Sequence, residues 1–227
     1  MIHTADMFRS IGGVFLTPEA TIVQNLKNIK AYVFDWDGVF NDGVKSQDRG
    51  SAYSEPDSMG LNMLRYNHWR LTGTLPYVAV ISGANNPTAI DLAKRENFHA
   101  VYLGFAHKIK AFEQFTATYG VGFSEIAFAF DDILDLSSAQ QCGLTFCVRR
   151  EASPLFQAFI QEKQIGNYLT GQVGGNHAVR EISELLMGLT GEYNNTIQSR
   201  MEFSADYQQY LATKKEIATQ VVIFGEK

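Results

Sequence analysis

Asp35 and Asp37 stand one residue apart in YVFDWDGVFNDG (residues 32–43), directly after the apolar run Tyr32, Val33, Phe34. On an extended segment alternate side chains point the same way, so the two carboxylates can share a pocket. Like charges that close repel, and a hard cation with oxygen ligands and room for water, Mg²⁺, is the natural partner. Taken alone, Asp-x-Asp-Gly is also an ordinary turn cap. Gly38 lets the chain leave the site without a side chain, and Gly43 closes the stretch after a further acid, Asp42. Other polar groups stand in similar places: Ser82-Gly83 after TLPYVAVI, Asp131-Asp132 after SEIAFAF, and Lys108 at the head of a helical pattern between them. A lone Ser at a strand end is usually a cap, and a lone Lys at a helix start is usually solvated. Together they make the inventory for phosphoryl transfer through an aspartyl-phosphate. The metal and the lysine offset phosphate charge, while the hydroxyl and turn N–H groups orient its oxygens.

These groups meet only if the runs before them lie side by side in one parallel sheet, where functional groups collect at the carboxyl edge. The pattern supports this. Strands are expected at 32–34, 74–82, 99–104, 124–130 and 144–148, alternating with helices at 18–28, 60–69, 87–97, 107–119 and 153–161. Thr17 is placed to cap the first helix, with Pro18 at its first position. That alternation predicts an α/β fold, a Rossmann-like, mostly parallel sheet flanked by helices. Residues 44–54 are turn-rich, with Asp48-Arg49-Gly50 as a hairpin signal, and predict a small β-hairpin flap in place of a large cap domain. NYLTGQVGGN (167–176) predicts a loop around paired glycines, followed by a helix over 177–188. Beyond Thr190 the expectation is a helix within 196–213 and a strand in QVVIF.

At 227 residues the chain predicts one sizeable domain. A net charge of −5 gives no electrostatic reason for a nucleic-acid partner or an anionic membrane surface. No apolar run is long enough to span a bilayer, and the first twenty residues lack the basic start of an export signal. Cys142 and Cys147 suit neither a zinc knuckle nor a redox pair and predict buried free thiols, hence a cytoplasmic protein.

The ordered set DWDGVFNDG, ISGAN, HKIKAF and FDDILD resembles the four motifs of the haloacid dehalogenase superfamily of phosphohydrolases. EPDSMGLNML and GGNHAVREISELL narrow the resemblance to its capless 3-deoxy-octulosonate 8-phosphate phosphatase group. The likeness covers residues 18–189 and leaves 190–227 as a C-terminal extension. It implies that Asp35 is the nucleophile and that Asp37 protonates the leaving group and then activates water. Asp35, the backbone carbonyl of Asp37 and Asp131 would bind Mg²⁺, with Asp132 and Asp135 as supporting acids. Ser82, Gly83 and Lys108 would hold the phosphoryl group. Two positions depart from the group: Ala84 replaces the arginine of motif II, and Phe130 replaces the glycine before the acid pair. Both bear on the substrate more than on the chemistry.

The substrate expected is a small phosphorylated metabolite, a sugar or sugar-acid phosphate. A reading of another class is a non-catalytic relative acting through assembly, in which Ala84 and Phe130 record relaxed constraint. Family members form tetramers whose flaps and neighbouring chains close each site, so a homotetramer is expected, with Arg180 and the Gly174-Gly175 loop near a subunit boundary. Arg180 could bind substrate from there, or simply face solvent. Asp57 could line the flap side of the site or cap the helix that starts near Gly60. His107 suits a helix start, and His177 stands where the group has glycine. Phe112, Phe115 and Tyr119 lie at helical spacing and suit the core.

Overall fold

A computed structural model of the chain describes residues 3–45 and 51–225. The Asp48-Arg49-Gly50 hairpin signal lies outside the described residues. An eight-stranded sheet runs in the order β1-β7-β6-β5-β2-β3-β4-β8. The strands are β1 (Val14–Phe15), β2 (Ala31–Phe34), β3 (Tyr77–Ile81), β4 (Ala100–Leu103), β5 (Ile126–Phe130), β6 (Leu144–Arg149), β7 (Tyr168–Val173) and β8 (Gln220–Ile223). Every pairing is parallel except that of β1 with β7. β2 lies between β3 and β5 with Phe34 level with Val80 and Ala129, so the three strands end together.

The middle strands are apolar throughout because both faces of the sheet are covered. Tyr32 and Phe34 enter the core under α3 (Glu55–Thr72) and α8 (Ala178–Leu189), while Ala31 and Val33 enter the opposite core with α5 (Ile109–Tyr119). Phe112 and Phe115 belong to that second core. Phe130 is buried there too, its ring stacked on Phe128 at 5.8 Å, so its bulk goes into the core and does not narrow the strand-end edge.

Several expectations need correction. Residues 167–176 contain β7 rather than only a loop, and its sequence hides the fact because Gly171 sits mid-strand. A Cβ there would strike the Ile11 carbonyl, so the close approach of the first helix, α1 (Thr4–Ser10), and its following turn requires the glycine. The first 17 residues thus supply a helix and an edge strand that no periodic pattern announced. Thr17 does not cap α2 (Glu19–Leu26): Pro18 is its N-cap residue, and the Thr17 hydroxyl accepts from Asn167 at 3.2 Å. α3 begins five residues before the expected start, with Ser54 as its cap and a proline in the first turn. The single helix expected within 196–213 is two, α9 (Tyr193–Met201) and α10 (Ala205–Lys215), broken at Phe203 with φ +50° and restarted by a Ser204 cap.

The C-terminal extension belongs to the fold. α10 buries Tyr207 and Tyr210 against Tyr66 of α3, and β8 adds the outermost strand beside β4. No helix among the described residues is long and apolar enough to cross a membrane. Cys147 is buried, Cys142 is partly so, and neither is in a disulfide.

Candidate active site

Asp35 follows β2 directly, its N–H held by the Ala129 carbonyl at 2.9 Å, so the strand ladder carries the carboxylate to the carboxyl edge. Ser82 follows β3, and its N–H bonds the Tyr102 carbonyl at 2.8 Å in the same way. Asp131 follows β5, and Lys108 is the N-cap residue of α5, reached by the turn after β4. All four side chains are buried. The expected strand ends therefore do share one edge.

Lys108 is the hub. Its Nζ lies 2.6 Å from an Asp35 oxygen and 2.6 Å from an Asp135 oxygen. Burial alone would lower the ammonium pKa, but Asp35 and Asp135 outweigh it and hold the group well above its ordinary value. Asp35, Asp131 and Asp135 each place a carboxylate oxygen within 4.8 Å of the others. Burial first, and then the charge of Asp35, pushes Asp131 and Asp135 far above the usual carboxylate range. A divalent cation removes that penalty, and one buried atom points to it: Asp131 Oδ1 has no hydrogen-bond partner among the described residues. Three carboxylates around a hard-oxygen position suit Mg²⁺.

The two acids after Asp131 divide differently from what adjacency suggests. Asp132 turns outward and accepts from the Ile133 N–H at 2.7 Å, capping a short 3₁₀ turn, Ile133–Asp135. That turn swings Asp135 back, fully buried, onto Lys108 and the acid cluster.

Asp37 sits beside this cluster, half-buried, with its carboxylate fully engaged. Oδ1 accepts from Ser51 Oγ at 2.6 Å, and Oδ2 faces Asn86 Nδ2 and Lys45 Nζ, each at 2.9 Å. Burial acts to raise its pKa, but Ser51, Lys45 and Asn86 together bring it below the ordinary value. Asn86 Nδ2 also reaches Ser82 Oγ at 2.9 Å, so one buried amide links the hydroxyl to the carboxylate. The Ala84 N–H bonds the same hydroxyl at 3.2 Å. A Cβ on Gly83 would make only ordinary contacts, 3.8 Å from Leu134 Cδ1 and 3.8 Å from the Phe105 carbonyl oxygen.

Gly38 has φ +87°, and a Cβ there would collide with the Asp131 carboxylate and with the guanidinium of Arg150. Arg150 follows β6 and donates from Nε to Asp131 Oδ2. The Gly174-Gly175 loop packs against the Gly38–Asp42 backbone of the same chain, so close that neither glycine has room for a side chain.

Other candidates lie apart. The Arg180 guanidinium is paired with Glu184, Nε at 2.7 Å, and does not join the acid cluster. Asp57 is fully buried in the first turn of α3, which Ser54 caps. Its Oδ1 accepts the Arg180 N–H at 2.8 Å, so it caps α8, the neighbouring helix. His177 is the N-cap residue of α8 with φ +70°, its Nδ1 3.2 Å from Ser54 Oγ. His107 precedes the Lys108 cap.

Four residues at the site carried no motif signal: Lys45, Ser51, Asn86 and Arg150. Arg150 was open to the strand-end argument already used for Asp35 and Asp131, because LTFCV runs directly into Arg149-Arg150. Asn86 lies within hearing of the ISGAN motif but bonds across the sheet edge, which no spacing reveals.

No family model matches the chain. It is 27% identical to the 3-deoxy-D-manno-octulosonate 8-phosphate phosphatase of Yersinia pestis over 170 residues, 73% of this chain and 83% of that protein. The Haemophilus influenzae enzyme of the same name is 27% identical over 173 residues, 74% of this chain and 88% of that one. Among solved structures, the Moraxella catarrhalis phosphatase with magnesium, phosphate and 3-deoxy-D-manno-octulosonate bound aligns with a TM-score of 0.64 at 26% identity, covering 78% of this chain and 97% of that one. The cobalt-bound H. influenzae phosphatase aligns at 0.62 and 26% identity, over 75% and 94% of the two chains.

Proposed function

We propose that this chain, a capless phosphatase of the haloacid dehalogenase superfamily with Mg²⁺ as its cofactor, hydrolyses a small sugar or sugar-acid phosphate through an aspartyl-phosphate on Asp35. The observation that carries it is the buried meeting of Asp35, Asp131 and Asp135 around Lys108, with Ser82 and Asp37 on the same sheet edge. Asp35, Asp131 and Asp135 are the carboxylate donors for the ion, with the backbone carbonyl of Asp37, and Asp132 supports them by fixing the 3₁₀ turn. Bound Mg²⁺ supplies charge neutralisation and polarises the phosphoryl oxygens.

Asp35 attacks phosphorus, and the bond to the leaving alkoxide breaks as Asp37 supplies its proton. Lys108, Ser82 Oγ and the Gly83 N–H hold the phosphoryl oxygens through this step. Asp37, now a carboxylate, takes a proton from the water that attacks the aspartyl-phosphate, and phosphate leaves with Asp35 regenerated. The geometry around Asp37 suits this second half: three donors hold it ionised. For the first half it must carry a proton, which the Lys45 ammonium beside Oδ2 opposes.

The substrate class rests on the relatives' named activity, and Ala84 in place of a motif arginine keeps it at the level of the class. A site without a large cap needs another wall, which supports a homotetramer in which a neighbouring chain covers the mouth. Ile133 and Leu134, 69% and 55% exposed beside Asp131, are the apolar surface such a neighbour would bury. Arg180, held on Glu184 within its own chain, would act only across that boundary. A cytoplasmic location fits the free thiols. The test is hydrolysis of p-nitrophenyl phosphate and then of a sugar-phosphate panel, with Mg²⁺ and after chelation. Asp35→Asn should lower kcat by on the order of a thousandfold or more while retaining the fold, since the amide is a poor nucleophile. Undiminished turnover in chelator, or in Asp35→Asn, would overturn the scheme.

A further inference from the structure

Arg150 has no part in the scheme above, yet it touches a metal-site carboxylate. Its Nε donates to Asp131 Oδ2, and its guanidinium lies over the turn at Gly38 and Gly43, where a Cβ on Gly43 would stand 3.1 Å from a terminal nitrogen. The side chain is 35% exposed at the mouth, while Asp131 is buried. A guanidinium is charged at any working pH, and here it is ion-paired to the Asp131 carboxylate. With Oδ2 taken by Arg150, Oδ1, buried and without a partner among the described residues, is the oxygen left for a cation.

The charges then sum simply. Asp35, Asp131 and Asp135 contribute three negative charges, and Lys108 and Arg150 contribute two positive ones. One divalent cation leaves the cluster at net +1, facing a phosphoryl group that carries up to two negative charges. Without Arg150 the loaded cluster would be neutral. A fixed cation sharing Asp131 with the metal repels that metal and attracts the anion, both through a water-poor edge where such terms are large.

We propose that Arg150 is a built-in counter-cation of the metal centre, lowering Mg²⁺ affinity and raising affinity for the phosphoryl dianion. The assignment rests on the phosphatase reading above. A residue that merely clamps β6 and β5 to the Gly38–Gly43 turn would act differently, because loosening the turn weakens both ligands together.

Calorimetric titration of the full chain separates the two. Mg²⁺ is titrated into chelator-stripped protein, and inorganic phosphate into Mg²⁺-saturated protein, for wild type, Arg150→Gln and Arg150→Lys. Arg150→Gln should bind Mg²⁺ more tightly and phosphate more weakly, each by roughly tenfold, as expected for one unit charge at this range. Arg150→Lys, which keeps the charge without the Nε bond, should stay near wild type in both. Parallel weakening of both ligands in Arg150→Gln, no change in either, or Arg150→Lys behaving like Arg150→Gln would overturn the counter-cation. Should Arg150→Gln fail to fold, Arg150→Met is the charge-removing variant read by the same comparison against Arg150→Lys. Wild-type protein that bound neither Mg²⁺ nor phosphate would sink the phosphatase reading itself, and this assignment with it.

Discussion

Asn86 joins two catalytic candidates through one nitrogen, donating to Asp37 Oδ2 and Ser82 Oγ at 2.9 Å each. Its bond to Asp37 is one of the interactions that lower that carboxylate's pKa. Removing it in Asn86→Ala should raise the pKa of Asp37, because the ionised form loses a donor. The acid limb of the pH–kcat profile, which follows the second half-reaction where Asp37 must be ionised, should therefore move to higher pH. The maximum should fall by roughly tenfold, the value of one hydrogen bond to a charged group. An acid limb that stays in place would show that Asn86 serves only the local turn.

At the scale of elements, α3 and α8 are joined at their starts by Asp57, a first-turn residue of α3 that caps α8. Asp57 accepts from Ser54 Oγ at 2.6 Å within α3 and from the Arg180 N–H at 2.8 Å in the first turn of α8. An acid at a helix N-terminus satisfies an orphan N–H and faces the positive end of the helix dipole. Fully buried, it also leaves no route for water to replace it. Asp57→Ala should cost about 2–3 kcal/mol, combining the lost cap with an unsatisfied donor. Urea unfolding of the two proteins measures this. A loss below about 0.5 kcal/mol would place the pair's stability in apolar packing alone. Since both helix starts lie at the catalytic edge, the same variant should also loosen the segment that presents Ser51 to Asp37.

For the whole molecule, pH acts through two buried sets of opposite sign. Burial lowers His68 to about 4, and burial together with the charge of Arg65 lowers His99 to about 4. A depressed folded pKa contributes stability that is present above the unfolded value and lost as pH falls through the folded one. The two histidines by themselves thus weaken the fold from about pH 6.5 down to about 4, with His68 contributing on the order of 3 kcal/mol. Asp131 and Asp135 are raised by burial and by Asp35, so they cost stability as pH rises above the ordinary carboxylate range toward their folded values. In chelated protein the two sets therefore oppose each other between about pH 4 and 6.5, only the acids' loss remains above it, and Mg²⁺ should remove that alkaline decline by binding the ionised acids. Thermal unfolding across pH with and without Mg²⁺ checks it, and superimposable curves would refute the metal's role in the acid cluster. Light scattering at micromolar concentration tests assembly. A tetramer is expected, and a fully active monomer would show that one chain closes its own site.

The placement of Asp35, Ser82, Asp131 and Lys108 could be read from the chain because each follows an apolar run or opens a helix, and these are local signals. The same locality made the parallel α/β class legible, since both faces of β2, β3 and β5 are covered and their sequences are apolar throughout. Tertiary structure alone separated Asp132 from Asp135. Both are acids of one motif, and only the 3₁₀ turn points one outward and the other onto Lys108. Tertiary structure also brought Asn86 to Asp37 and Arg150 to Asp131, contacts between residues 49 and 19 positions apart. It made β7 a strand despite its glycine and β8 the partner of β4, since strand pairing is decided by what lies alongside. Side-chain periodicity records which face of an element is buried, whereas the partner across the edge is fixed only when the whole sheet closes around it.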